Sequence, residues 1–136
     1  MKQLTVNAQT SELSKVLAFA DTILEETGCS AKVKMQIDIA IEEIFVNIAR
    51  YAYPSGDGKA VIEIEADKAE KSVRITFEDQ GIPYDPLKNE DPDITLPAEE
   101  RPIGGLGIFM VKNIMDEVSY ENSDGKNRLT IKKNYN

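Results

Sequence analysis

The apolar residues of this chain change period partway along it, and that change limits the folds open to it. From Glu12 to about Glu26 the positions Leu13, Val16, Leu17, Ala20, Ile23 and Leu24 recur at spacings of three and four, which predicts an amphipathic helix. Thr10 and Ser11 are available to cap it, and Thr27 with Gly28 to stop it. Ser30 offers a second cap, and from Ala31 to about Ala52 the stripe Val33, Ile37, Ile41, Ile44, Ile48 and Tyr51 or Ala52 predicts another helix, ended by Pro54 and the turn residues behind it. Then the period becomes two. Residues 60–66 set Ile62 and Ile64 against Glu63 and Glu65, and residues 72–78 set Val73, Ile75 and Phe77 against Arg74, Thr76 and Glu78. With the short polar link Asp67 to Lys71 these predict an antiparallel pair with one face in water.

Leu4, Val6 and Ala8 alternate in the same way near the start, and VSYEN and NRLTIKKN do so near the end, around the turn Ser123, Asp124, Gly125. A third helical run covers about Gly105 to Met115. The element order is strand, two helices, two strands, a long loop, a helix and two strands. It predicts an α+β fold, a two-layer α/β sandwich with a mostly antiparallel sheet of about five strands covered on one face by three helices. At 136 residues and 41% hydrophobic content, one domain over 1–136 is expected, burying about two-thirds of its unfolded surface. No stretch of signal-peptide or membrane-spanning length is apolar throughout, which predicts a cytoplasmic protein with no membrane contact.

Composition narrows the chemistry. There is no histidine and a single cysteine, Cys29. Zinc therefore loses its usual ligands, an internal disulfide is impossible, and a Ser/His/Asp hydrolase or a histidine general base is excluded. A net charge of −8 argues against direct nucleic-acid binding, and only KNRLTIKK is locally basic. An acidic protein that binds a nucleotide triphosphate needs a divalent cation.

Three stretches carry candidate chemistry. Gly104, Gly105 and Gly107 open the third helix, where backbone N–H groups and the positive end of the helix dipole converge on an anion; a flexible helix start is the alternative for the glycines alone. Glu43 and Asn47 lie four apart on the second helix and share a face, separated by about 40° around its axis, while Glu42 turns about 100° away toward solvent. A carboxamide and a carboxylate at this spacing suit one direct Mg²⁺ contact and the orientation of a water or hydroxyl. Asp79 closes the third strand ahead of Gly81, and its carboxylate is able to accept a hydrogen bond from an exocyclic amine such as that of adenine; an ordinary Asp turn is the alternative. GxxxxGK[ST] is absent and no βαβ unit surrounds the glycines, so neither a P-loop nor a Rossmann site is expected.

In this order, ExxxN on a helix, DxGxP after a strand and GGLG opening a helix resemble the ATP-binding boxes of the fold shared by gyrase, the Hsp90 chaperones, histidine kinases and MutL, the Bergerat ATP-binding fold. More narrowly, IEEIFVNIARYAYP, EDQGIPYDP and GGLGIFMVKNIMDEVSY are similar to the bacterial anti-sigma-factor serine kinases of the RsbW and SpoIIAB type, over nearly the whole chain. The resemblance implies ATP and Mg²⁺ as cofactors, with Glu43 the general base and Asn47 the Mg²⁺ ligand. Asp79 would hold the adenine amino group, Gly81 would let the base pack close, and Gly104, Gly105, Leu106 and Gly107 would contact the phosphates. Thr130 matches a threonine that completes the adenine pocket, and Arg101 would reach the γ-phosphate as a lid at about 83–103 closes.

The implied partners are a STAS-type anti-anti-sigma protein, a sigma factor and a second copy of the chain in a homodimer. Pro83 departs from the DxGxG of the wider superfamily but matches this branch, and Tyr51 stands where several relatives carry histidine. Two functions follow from a complete nucleotide site: a protein serine/threonine kinase, or an ATP-binding regulatory module that binds partners without significant phosphoryl transfer.

Overall fold

A computed structural model describes residues 1–88 and 106–135. Its elements are β1 (Lys2–Asn7), α1 (Leu13–Thr27), α2 (Ala31–Asn47), β2 (Lys59–Asp67), β3 (Ser72–Asp79), α3 (Leu106–Ile114), β4 (Glu117–Ser123) and β5 (Lys126–Asn134). The strands form one sheet in the order β1-β2-β3-β5-β4 with every pairing antiparallel. Five strands and three helices appear among the described residues, as the periodicities predict. The chain leaves β3, reaches the far edge at β4 by way of α3, and returns by a hairpin that inserts β5 beside β3.

Local chemistry explains the turns. The Asp67 carboxylate accepts from the N–H groups of Ala69 and Glu70, both at 3.0 Å, and closes the β2–β3 link. Asp124 and Gly125 adopt φ of 55° and 75°, the paired positive values that match a two-residue hairpin to the twist of its strands. Gly28 ends α1 at φ 72°, and the Ser30 hydroxyl caps α2 by accepting from Val33 N–H at 3.2 Å.

Strand parity decides which side chains meet the helices. Ile75, Phe77 and Asp79 on β3 pair in register with Ile131, Leu129 and Asn127 on β5, and all six are buried on the helix side. Against them pack Val16, Ala20 and Leu24 of α1, Ile37, Ile41, Ile44 and Phe45 of α2, and Val111 of α3. Each such Val, Leu, Ile or Phe side chain contributes about 1.5–3 kcal/mol when fully buried. The opposite face is charged: Arg128 meets Glu78 at 2.5 Å and Glu63 at 3.5 Å, and Lys132 meets Glu70 and Glu117. Exposed pairs of this kind add little stability, but they mark the face as solvated.

Two local expectations are corrected. Thr10 and Ser11 do not cap α1 through their side chains; they form a 3₁₀ turn with Glu12 that runs straight into the helix. The second helix keeps its α-helical ladder only to Asn47, and residues Ile48–Ala52 make a π-helical turn. That wider turn sits where the chain is tied to the exit of β3, since Ala52 O accepts from Ile82 N–H at 2.9 Å.

Candidate functional site

A cavity of about 450 Å³ opens between the end of α2, its π-helical turn and the ends of β3 and β5. That volume lies within the range of about 300–1,000 Å³ typical of small-molecule sites. Ile44, Ile48, Phe77, Ile108 and Leu129 give it apolar walls, and Asn47, Asp79, Tyr120 and Asn127 supply polar groups.

The Asp79 end is rigid. Asp79 is 6% exposed, and its Oδ1 accepts from Gly81 N–H at 2.9 Å and from Asn127 Nδ2 at 2.9 Å. Its Oδ2 makes no hydrogen bond among the described residues, while the side chain lines the cavity. Gly81 must be glycine here: a Cβ would fall on the carbonyl of Ala52, so the chain after β3 presses directly against the π-helical turn. Tyr53 braces the same junction. Its hydroxyl donates to Lys59 O at 2.6 Å and accepts from Gln80 N–H at 2.8 Å. Burial, with the Asp79 charge adding to it, holds the phenol above its ordinary pKa of 10.0, so it remains a neutral donor.

The other end is built by two helices. Asn47 is the last residue of α2 and lines the cavity; Glu43, one turn earlier, is half-buried beside Ile44, and Glu42 is exposed. Gly107, in the first turn of α3, lies so close to Glu43 that a Cβ there would overlap the carboxylate oxygen. Neither the Glu43 carboxylate nor the Asn47 carboxamide has a hydrogen-bond or ion-pair partner among the described residues, which leaves unpaired oxygens beside the cavity.

A family model described as a histidine kinase-like ATPase domain matches residues 6–133. The chain belongs to that family. It is 26% identical over 129 residues to the serine/threonine-protein kinase BtrW of Bordetella bronchiseptica, covering 95% of this chain and 89% of that one. It is 32% identical over 98 residues to the serine-protein kinase RsbW of Bacillus thuringiensis, covering 69% of this chain and 60% of RsbW. Among solved structures, the RsbU and RsbW domains of a Mycobacterium tuberculosis protein share the fold with a TM-score of 0.63 at 16% identity, covering 98% of this chain and 32% of that chain. A histidine kinase domain from a blue-light activated histidine kinase of Erythrobacter litoralis shares it at 0.53 and 15% identity, over 93% and 60% of the respective chains.

Within this ATPase-domain family the placement of each expected residue is as follows. Asn47 and Asp79 line one cavity, and Glu43 with Gly107 adjoins it; Gly81 is held behind Asp79, donating to its carboxylate and packed on Ala52. Thr130 does not join them. It faces the solvated side of the sheet, where its hydroxyl bonds to Thr76 at 3.1 Å, because residues of even number on β5 point away from the helices. The β5 residue in register with Asp79 is Asn127, which the reading of the sequence passed over. The alternation of Asn127, Leu129 and Ile131 against Arg128, Thr130 and Lys132 carries the signal that finds it. Arg101, Gly104 and Gly105 lie outside the described residues, as does most of the expected lid; Leu106 begins α3.

The oxygens available fit a magnesium ion. No group of three Asp, Glu or Cys side chains converges among the described residues. Mg²⁺ asks for less than that, one or two protein oxygens with water and phosphate completing its shell, and the Asn47 carboxamide oxygen, without a partner among the described residues, meets this demand.

Proposed function

We propose that the chain is an ATP- and Mg²⁺-dependent protein serine/threonine kinase of the anti-sigma-factor type, which phosphorylates a STAS-type anti-anti-sigma protein, otherwise sequesters a sigma factor, and works as a homodimer. The observation that carries this reading is the buried Asp79, which lines an apolar cavity with one carboxylate oxygen unbonded among the described residues, the cavity ending beside Glu43 and Asn47, which have no partner among those residues either. The kinase names of the relatives support the choice of reaction.

In this reading the adenine ring lies between the apolar walls, with its amino group donating to Asp79 Oδ2. The phosphates extend toward Asn47, the glycines and the start of α3, where free N–H groups favour negative charge. Glu43 accepts the proton of the substrate serine as the serine oxygen bonds to the γ-phosphorus and the bond to the β,γ-bridging oxygen breaks, releasing ADP. Asn47 would hold magnesium, which when bound neutralises the phosphate charge. Gly107 allows the start of α3 to approach Glu43 without displacing it. No covalent intermediate is needed, since phosphoryl transfer relies on positioning and charge stabilisation.

Incubation of the purified chain with labelled ATP, Mg²⁺ and candidate STAS proteins tests the reading. Phosphoserine on a STAS protein is the expected product. Nucleotide binding without any phosphoserine would leave the domain a regulatory module.

A further inference from the structure

We propose that Asn127 is a positioning residue for base selection: its amide locks Asp79 with Oδ2 alone facing the cavity, and the Tyr120 hydroxyl locks the amide. This rests on the nucleotide reading above and adds the device that makes the site read an exocyclic amine.

Asn127 stands opposite Asp79 in the β3–β5 register and is equally buried, at 6% exposure. Its Nδ2 donates to Asp79 Oδ1 at 2.9 Å and to Ile82 O at 3.0 Å, and Gly81 O lies at 3.5 Å. Its Oδ1 accepts from the Tyr120 hydroxyl and from Asn122 Nδ2 at 3.0 Å. The amide has one workable orientation. Reversed, its oxygen would face three acceptors, Asp79 Oδ1 and the carbonyls of Gly81 and Ile82, while its NH₂ would face the Asn122 NH₂ group.

Every strong hydrogen-bonding position of Asn127 is thus engaged within the protein, so it acts on a ligand through Asp79. With Gly81 N–H and Asn127 Nδ2 both on Oδ1, the carboxylate cannot rotate without breaking two hydrogen bonds, one of them buried. Oδ2 stays aimed at the cavity as a fixed negative acceptor. A base with an N–H donor at that point gains a charge-assisted bond, whereas one with no donor, or with a carbonyl oxygen, does not. The same amide holds the Ile82 carbonyl, so the wall that the base packs against is set by the same residue.

The test compares ATP with purine riboside triphosphate, which lacks the amino group, by calorimetric titration of the full chain and two variants. The wild type is expected to prefer ATP by at least about tenfold. In Asn127→Leu, an apolar residue of similar size, the preference should collapse to within about twofold, chiefly by loss of ATP affinity, with purine riboside triphosphate binding nearly as before. Tyr120→Phe leaves the Asn122 donor in place, so it should lower the preference by about two- to threefold; it keeps the proposal testable where Asn127→Leu does not fold. An equal loss for both nucleotides, or an unchanged preference in both variants, overturns the positioning role while leaving the nucleotide reading intact. Absence of binding by the wild type overturns that reading and this inference with it.

Discussion

The two ends of the cavity are built differently. At the Asp79 end, Asp79 and Asn127 sit on neighbouring inner strands, and their side chains are tied down by hydrogen bonds with each other and with Gly81, Tyr120 and Asn122. At the Glu43 end they sit on the last turns of α2 and the first turn of α3, close in space but without partners among the described residues. A base is recognised by fixed donors and acceptors, so its end is held in place in advance, with Asp79 Oδ2 left to accept from it. A reacting phosphate brings its own charge, and the groups that meet it must be left unspent until it arrives.

This contrast separates binding from chemistry, and mutation should separate them too. The largest effect belongs to Glu43→Gln. It removes the proposed proton acceptor and should lower phosphotransfer by about 10²–10⁴-fold while leaving ATP affinity within a few fold, measured by phosphoserine formation beside calorimetry. Equal losses in both would make the Glu43 end a binding element. Next comes Asp79→Asn, which places an amide where the proposal has a carboxylate oxygen accepting from the base. ATP affinity should fall by about ten- to a hundredfold, corresponding to about 1.5–3 kcal/mol for a hydrogen bond to a charged group. Phosphotransfer at saturating ATP should then recover, and a failure to recover would blur the division between the ends.

Gly107→Ala sharpens the comparison further. Alanine raises helix propensity by about 1 kcal/mol over glycine, so α3 itself should not suffer. Yet the added Cβ overlaps the Glu43 carboxylate and must push it aside. Phosphotransfer should drop by about tenfold with little change in thermal stability, a misplacement effect of the kind that distorted geometry produces. Unaltered transfer would mean that Glu43 has freedom the packing denies it.

The smallest effect is a control away from both ends. Asp38 lies near Asp21, with Lys34 3.3 Å from each carboxylate, and one oxygen of each acid is buried without a hydrogen bond. Burial first, then the hydrogen bond and charge of Asp21, raise the Asp38 pKa from 3.8 to about 6, against the pull of Lys34. The folded state therefore holds this proton more tightly than the unfolded chain does. Its stabilising contribution is complete below pH 3.8 and is lost as the pH rises through about 6. Discounted for solvent screening of this half-buried carboxylate, the amount is about 1 kcal/mol. Asp38→Asn should flatten that part of the denaturation profile and leave ATP affinity at neutral pH unchanged; an altered affinity would tie this pair to the cavity.

Much of the fold is legible in the sequence because period alone separates helix from strand, and because Gly28, Ser30 and Asp124-Gly125 mark their own ends and turns. The π-helical turn is not legible, since the apolar stripe runs on through Ile48 and Ala52 without a break. It ends at the tertiary tie between Ala52 and Ile82, a contact far apart in sequence. On the site, Glu43, Asn47 and Asp79 stand out as polar residues at helix and strand ends. Asn127 does not, because an asparagine two residues past Gly125 reads as part of the turn. Thr130 shows the opposite hazard: residue type draws attention to it, while strand parity sends it to the solvated face.

The most direct test of one nucleotide cavity with two unlike ends is calorimetric titration of the full chain with ATP in excess Mg²⁺. The account predicts saturable binding of one ATP per chain, competed by ADP. Absence of heat at millimolar ATP, or binding that ADP does not displace, would contradict it.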